Sequence, residues 1–295
     1  MFRGRMLKRL EQMLESAIRG DFQETDYDET RLSRLESKWK QFLGASQLSR
    51  KNLEQEKENI KSLLSDISHQ TKTPIANMKL YVTLLQEGLE KQNQEGGWQG
   101  TDSDRQQQNV SLLREIEKQT EKLDFLIQSL TKMSRLESNI VEVRPRTQEV
   151  SPLVKEAVKN IQPKAEKKKI QITLSLQPGV TACFDQKWTR EALENVLDNA
   201  IKYSGCESEI AVSVRGYEMY TAISVRDRGI GISEQDIPKI FERFYRATEV
   251  QQEDGVGIGL FLTREILRKQ NGYIKVRSKK GRGSEFSLYL WRRLS

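Results

Sequence analysis

No stretch of this sequence reaches about 18 consecutive apolar residues, so nothing in it is expected to span a membrane. Its start, Met1-Phe2-Arg3-Gly4-Arg5, lacks the apolar core and cleavage site of a secretory leader. Cysteine is scarce: Cys183 and Cys206 make neither a disulfide framework nor a metal-ligand cluster, and a reducing compartment is expected. Histidine is scarcer still, since His69 is the only one in 295 residues. A mean hydropathy of −0.69 with 31% charged residues leaves too little apolar material for thick cores throughout. A helical part plus one globular domain fits those figures, and the length suits about two domains.

What is abundant is basic charge, a net +7 that first points to nucleic acid or anionic lipid. Its distribution argues otherwise. Between Arg264 and Ser295 ten Lys/Arg meet two Glu, and the rest of the chain is close to neutral. The basic residues are scattered along a helix and strands, with no interleaved aromatic platform. No nucleic-acid partner is expected; a basic surface for an acidic partner or a nucleotide fits better.

The N-terminal half reads as helices with apolar stripes. Met6, Leu10, Met13, Leu14 and Ile18 make one stripe, closed by Gly20-Asp21, and an acidic loop runs from Glu24 to Glu29. Leu32, Leu35, Trp39, Phe42 and Leu43 make another. Residues 1–45 are read as a helical linker or input segment that needs a partner helix to cover its face. From 46 to 92 a long helix is expected, with seam positions 60, 64, 67, 71, 74, 78, 82, 85 and 89 alternating by three and four. His69 falls at the position farthest from the seam, turned to solvent. Thr73 lies one turn on, on the same face, and Pro74 should kink the helix just below. A polar, glycine-rich turn follows between Asn93 and Ser103. Val110, Leu113, Ile116, Leu123, Leu126, Ile127, Leu130, Met133 and Leu136 then make a second long stripe. Two stripes around one turn predict an antiparallel helical hairpin over residues 46–142, with half its seam uncovered. Two copies would close it as a four-helix bundle, so a homodimer is expected.

Pro145 and Pro152 mark a boundary, and residues 146–295 change pattern. Helices are predicted at Leu153–Ile161, Trp188–Tyr203 and Val256–Lys269. Strands are predicted at 170–176, 210–215, 220–226, 273–277 and 284–290. Three helices against about five strands make a two-layer α/β sandwich, and the whole chain is of the α+β class.

Four clusters in this domain carry chemistry. In Glu194-Asn195-Val196-Leu197-Asp198-Asn199-Ala200-Ile201-Lys202-Tyr203, the polar residues Asn195, Asn199 and Lys202 share one helix face. Asparagine carbonyls suit a hard cation such as Mg²⁺, and a lysine suits phosphate. In Asp227-Arg228-Gly229-Ile230-Gly231, just after a strand, Asp227 is placed to accept from an exocyclic amine, while Gly229 and Gly231 let backbone approach a ring. In Ile240-Phe241-Glu242-Arg243-Phe244-Tyr245-Arg246, two arginines beside aromatic anchors suit a flap that reaches for phosphate. In Gly255-Val256-Gly257-Ile258-Gly259-Leu260, glycines open a helix and offer backbone N–H groups and a positive helix end to phosphates. No strand precedes that run and no Gly-Lys-Ser/Thr is present, so neither a dinucleotide fold nor a P-loop is indicated. Gly281-Arg282-Gly283-Ser284-Glu285-Phe286 turns into the last strand.

In order and spacing these clusters resemble the N, G1, F, G2 and G3 boxes of the sensor histidine kinases. The ATP-binding domain of that family shares its fold with the HSP90, gyrase B and MutL ATPases. Ser68-His69-Gln70-Thr71-Lys72-Thr73-Pro74 resembles its phosphoacceptor box. The resemblance spans about residues 50–295. It implies that Asn195 and Asn199 hold Mg²⁺ and the phosphates of ATP, with Lys202 a further phosphate contact. Tyr203 is implied to pack on adenine, Asp227 to bind its amino group, and Gly229 and Gly231 to line the base pocket. Ser233 to Asp254 is implied to be a lid, with Arg243 and Arg246 facing the phosphates and Gly255, Gly257 and Gly259, next to Leu260, hinging the lid and capping the phosphates. His69 is implied to take the γ-phosphoryl group and pass it to a response-regulator aspartate.

One position departs from the family pattern. The family usually carries Glu or Asp directly after the histidine, and here Gln70 stands there; an amide hydrogen-bonds but takes no proton. Asp66, three residues before His69, is a substitute by helical spacing. Thr73 matches the position that orients water for hydrolysis of the regulator's phosphoaspartate, so phosphatase activity is expected beside the kinase. Two other readings compete: an ATPase or serine kinase of the same nucleotide fold, and a dimeric pseudokinase scaffold that docks a regulator. The family usually has membrane-spanning sensors, so the chain is expected to be cytoplasmic, either a portion anchored upstream or a soluble kinase.

Overall fold

The structure, a computed structural model, describes residues 31–94, 102–137, 143–247, 250 and 255–292. The stripe at 6–18, the acidic loop at 24–29, the glycine-rich turn and part of the expected lid lie outside them. The elements are α1 (Arg31–Gln94), α2 (Asp102–Glu137), β1 (Arg146–Glu149), α3 (Val150–Lys167), β2 (Gln171–Leu176), β3 (Thr181–Phe184) and α4 (Gln186–Tyr203). After these come β4 (Glu209–Gly216), β5 (Tyr220–Arg226), α5 (Gly259–Arg268), β6 (Tyr273–Ser278) and β7 (Ser284–Trp291). The chain divides into two compact units, and the division falls inside α1, between Lys72 and Thr73. Among the described residues no helix is long and apolar enough to cross a membrane.

Separate helices were expected at 32–43 and 46–92; the structure has one, α1. Gly44 lies inside it with no atom near its Cβ position, and a lone glycine costs a helix only about 1 kcal/mol. Pro74 is also inside α1, and buried.

In the second unit, the end of α1 and α2 run antiparallel. Thr120 Oγ1 donates to Met78 Sδ at 3.5 Å, and a Cβ on Gly88 would lie 3.9 Å from Asn109 Oδ1. Ile75, Val82, Val110, Leu113 and Ile127 remain exposed on this hairpin. The lower end of α2 is covered instead: Leu126 and Leu136 are buried in the same core as the α/β layers, and Lys132 pairs with Glu191 of α4 at 2.6 Å.

The α/β part is a five-stranded sheet of order β2-β4-β5-β7-β6, parallel between β2 and β4 and antiparallel elsewhere. Alternation builds it. Ile210, Val212 and Val214, Ile223 and Val225, and Phe286, Leu288 and Leu290 face the helices, while intervening residues face away. Helices α3, α4 and α5 cover the one apolar face. α4 buries Leu193, Val196, Leu197, Ala200 and Ile201, each large aliphatic side chain worth about 1.5–3 kcal/mol. Its start is fixed by Asp185, which accepts from Trp188 N at 3.1 Å.

Two features were not expected. β1 and β3 form a small antiparallel sheet beside the main one. And α5 begins at Gly259, not at Val256, because Gly255 and Gly257 have φ of 131° and 78°, outside helical space. Pro152, read as marking the boundary, sits in the first turn of α3, where a backbone N–H has no intrahelical partner to lose.

Candidate active site

One cavity in the second unit gathers residues from all four sequence clusters. From α4 come Asn195, Asn199, Lys202 and Tyr203, one polar face whose opposite side is the apolar contact just described. From the β5 end come Asp227 and Gly231, from the lid Arg246, and from the glycine run Gly255, Gly257, Gly259 and Leu260.

At one end stands Asp227, 5% exposed. Its Oδ1 accepts from Gly229 N at 2.8 Å and Ser284 N at 3.1 Å. That oxygen is saturated, which turns the remaining acceptor capacity of the carboxylate, at Oδ2, to a ligand. Burial pushes the Asp227 carboxyl above its ordinary pKa, and the backbone N–H groups of Gly229 and Ser284 pull the other way. Such a group accepts a hydrogen bond from an amine in a dry pocket.

The glycines here act by close approach. Gly229 does not line the cavity: a Cβ on it would stand 2.3 Å from the Tyr203 carbonyl oxygen, so it lets the 227–230 turn rest on the end of α4. Gly231 lines the cavity, and a Cβ there would meet Lys279 O at 2.1 Å. Gly283, with φ of 86°, lets the β6–β7 turn lie against the backbone of Asp227.

At the other end Asn195 Nδ2 is buried and has no hydrogen-bond partner among the described residues. A Cβ on Gly259 would lie 3.6 Å from that side-chain amide, and one on Gly255 would lie 3.1 Å from Lys202 Nζ. The N-terminus of α5, which has no side-chain cap, therefore stands beside Asn195. Orphan N–H groups, an unpartnered amide and a lysine fit a polyphosphate. Among the described residues no group of three or more His, Cys, Asp or Glu could hold a metal by itself. A Mg²⁺ ion would therefore be held by asparagine carbonyls together with the phosphates it accompanies.

The described part of the expected lid is tied down at two places. Phe244 N donates to Gly257 O at 3.0 Å, and Tyr245 OH donates to Asp236 Oδ1 at 2.6 Å. Arg246 lines the cavity and donates to Val250 O. Arg243, expected to face the phosphates, does not line it. Its guanidinium stands 4.8 Å over the Phe261 ring, which Arg264 also approaches at 5.5 Å.

The phosphoacceptor candidates lie on α1. His69 is exposed and Gln70 half-buried, with Asp66 half-buried one turn before. Ser68 and Thr71 turn their hydroxyls back onto the helix, to Leu64 O and Ile67 O at 2.8 Å each, so neither competes for the imidazole. Thr73, in the second unit, is exposed.

Residues to which the sequence assigned no role complete the cavity: Ser284 holds Asp227, Asp236 holds Tyr245, one of the expected aromatic anchors, and Phe125 reaches the cavity from α2. Ser284 had a signal, standing directly after the Gly281–Gly283 turn; Phe125 had none, since α2 and the cavity meet only in the fold.

Residues 59–139 match the family described as His Kinase A (phospho-acceptor) domain. Residues 184–294 match the Histidine kinase-, DNA gyrase B-, and HSP90-like ATPase family. Among curated proteins the chain is 24% identical over 241 residues to the sensor protein SrrB of Staphylococcus aureus, covering 81% of this chain and 39% of that protein. The chain thus spans well under half the length of that relative. Among solved structures, histidine kinase ThkA in complex with the response regulator protein TrrA has a TM-score of 0.56 at 18% identity, covering 81% of this chain and 66% of that one. Full-length ShkA in complex with AMPPNP has a TM-score of 0.54 at 21% identity, covering 74% of this chain and 46% of that one. At such identities the likeness carries the fold.

Proposed function

This chain belongs to the sensor histidine kinases, and from that premise we propose that it phosphorylates itself on His69 with ATP and passes the phosphoryl group to a response-regulator aspartate. One observation carries the reading. A chain with a single histidine, exposed on a phosphoacceptor helix, also holds a cavity with an amine acceptor at one end and phosphate donors at the other. Asp227 accepts from the adenine amino group and Tyr203 packs on the base. Lys202, Arg246 and the N-terminus of α5 hold the phosphates, with Asn195 and Asn199 as Mg²⁺ and phosphate contacts. Mg²⁺, when bound, supplies charge neutralisation on the phosphates.

The step is in-line displacement. A ring nitrogen of His69 forms a bond to the γ-phosphorus, the bond to the ADP oxygen breaks, and the other ring nitrogen's proton is stabilised or accepted by a neighbour. Little covalent work falls to the protein; positioning and electrostatics do most of it. Residues 46–142 serve as the dimerisation and phosphotransfer domain, 146–295 as the ATP-binding domain, and 1–45 as an input linker. The uncovered apolar face of the α1–α2 hairpin supports a homodimer. Thr73, exposed on the helix surface, supports a regulator phosphatase activity.

The test is to supply Mg²⁺ and ATP labelled at the γ-position. Label stable to base and labile to acid is expected on the wild type and absent from His69→Gln. Acid-stable label that persists in His69→Gln would replace this reading with a serine kinase of the same fold. A labelled nucleotide that binds but never transfers would leave the pseudokinase scaffold.

A further inference from the structure

Helix α4 ends without the usual device. Its carbonyl-rich last turn is ordinarily closed by a left-handed residue whose following N–H groups turn back onto the helix. Here Ser204 is extended, with φ of −87° and ψ of 148°. The donors come from elsewhere in the chain. Lys168, just past the end of α3, donates through Nζ to Ile201 O at 3.0 Å, Lys202 O at 2.7 Å and Ser204 O at 3.3 Å. One ammonium thus takes three carbonyls, and a cation stands at the negative end of the helix dipole. Its own backbone is fixed as well: Lys168 N donates to Ala165 O at 3.1 Å, and Lys168 O accepts from Glu207 N at 3.0 Å.

Of the carbonyls of residues 201–204, the one that Lys168 leaves alone is that of Tyr203, and the 227–230 turn rests on it. Tyr203 O accepts from Ile230 N at 3.3 Å, and Gly229 rests directly on it. Gly229 N in turn donates to Asp227 Oδ1. Lys168 therefore reaches Asp227 through the last turn of α4 and the 227–230 turn. It also fixes the turn that bears Lys202 and Tyr203, both of which line the cavity.

We propose that Lys168 is a positioning residue for recognition of the adenine base. It touches no ligand. By closing the end of α4 it sets the carbonyl on which the Asp227 turn sits, and so the direction in which the carboxylate meets the exocyclic amine. This rests on the assignment of the cavity as an adenine nucleotide site. A lysine that merely stabilised α4 would lower the melting temperature and leave base selectivity as it was.

The experiment compares ADP with IDP, whose base carries an oxygen where adenine has its amino group. Both are titrated calorimetrically into the 295-residue wild type, Lys168→Met and Lys168→Arg, well below each melting temperature. Wild type should prefer ADP. Lys168→Met should lose about tenfold for ADP, the order of one hydrogen bond to a charged group, and at most about threefold for IDP, so that discrimination collapses. Lys168→Arg keeps a cation with several donors and should stay within about threefold of wild type on both. A Lys168→Met protein that binds both nucleotides like wild type, or loses both by the same factor, overturns the proposal. Should Lys168→Met fail to fold, Lys168→Gln, which offers a single amide in place of the ammonium, is read by the same criteria. Failure of wild type to prefer ADP over IDP is a different result: it overturns the adenine site itself.

Discussion

The hydroxyl of Tyr245 donates to Asp236 Oδ1 at 2.6 Å across nine residues of the lid, and Ser233 Oγ donates to Asp236 Oδ2 at 2.7 Å. Two segments of chain that line the cavity are thereby clasped. Hydrogen bonds from the Tyr245 and Ser233 hydroxyls hold the Asp236 carboxyl below its ordinary pKa, and the bond to that carboxylate pushes the Tyr245 hydroxyl up. Tyr245→Phe should open the clasp without removing the ring. ADP dissociation should quicken several-fold by stopped-flow, with a smaller change in association; an unchanged dissociation rate would show that the clasp does not restrain the lid. The sign of the pH effect follows from a depressed carboxyl. Its contribution is fully present above the unfolded value, about 3.9, and is lost as pH falls from there through the lower folded value. The Tyr245 effect should therefore be constant from neutral pH down to mildly acidic solution.

Asp227 presents the opposite case. Burial raises its carboxyl above the unfolded value. Between the two values the folded state holds the extra proton, so stability falls as pH rises through that window and is level above it. Above that window the ionised carboxylate is thus a burden on the ligand-free domain. Asp227→Asn keeps an oxygen for Gly229 N and Ser284 N. It should raise the melting temperature of the ligand-free protein above that window, flatten the pH dependence, and weaken ADP by about tenfold or more. Unchanged ADP affinity would refute the base pocket.

The α1–α2 hairpin leaves Leu113 57% exposed and Ile127 53% exposed, among other apolar side chains on that surface. Isolated apolar residues on a surface mean little, but a contiguous stripe of them on a hairpin asks for a cover. The full-length chain should sediment as a dimer at micromolar concentration, and Leu113→Glu should shift it toward monomer while leaving ADP binding intact. A wild type that sediments as monomer throughout would remove the four-helix bundle.

Helix α4 was legible because its apolar residues repeat at three and four, opposite the polar face of Asn195, Asn199 and Lys202. The inner faces of β4 and β5 were legible from strict alternation. β1 was not, since Arg146-Thr147-Gln148-Glu149 has no apolar face and is a strand only because β3 pairs with it. The start of α5 was misplaced because a glycine's backbone angle is invisible in its letter. In the site, the polar face of α4 and Asp227 could be named in advance, since each sits in a short local pattern. Lys168, in a run of three lysines, could not: its partners lie 33 to 36 residues away. Arg243 was named and sits elsewhere, because Phe261 offers its guanidinium an aromatic face.

Gln70 is the residue at which the chemistry of this chain parts from the pattern it resembles. When a ring nitrogen of His69 takes the phosphoryl group, the ring becomes cationic and its other nitrogen needs a partner. A carboxylate at position 70 would stabilise that charge and accept the proton; the Gln70 amide offers only a hydrogen bond. General-base help is worth about 10²–10⁴-fold, but only part of it is at stake, since Mg²⁺ and the phosphate contacts act regardless. Gln70→Glu should therefore speed single-turnover autophosphorylation several-fold at saturating ATP and leave ATP affinity nearly unchanged. Thr73→Ala should spare that reaction and slow dephosphorylation of the regulator, because the hydroxyl it removes is proposed to orient water, not to touch ATP. Asp66, half-buried one turn before His69, is the rival partner. If Gln70→Glu brings no gain and Asp66→Asn a large loss, the carboxylate's part has passed to Asp66, and the imidazole is served from the preceding turn of α1.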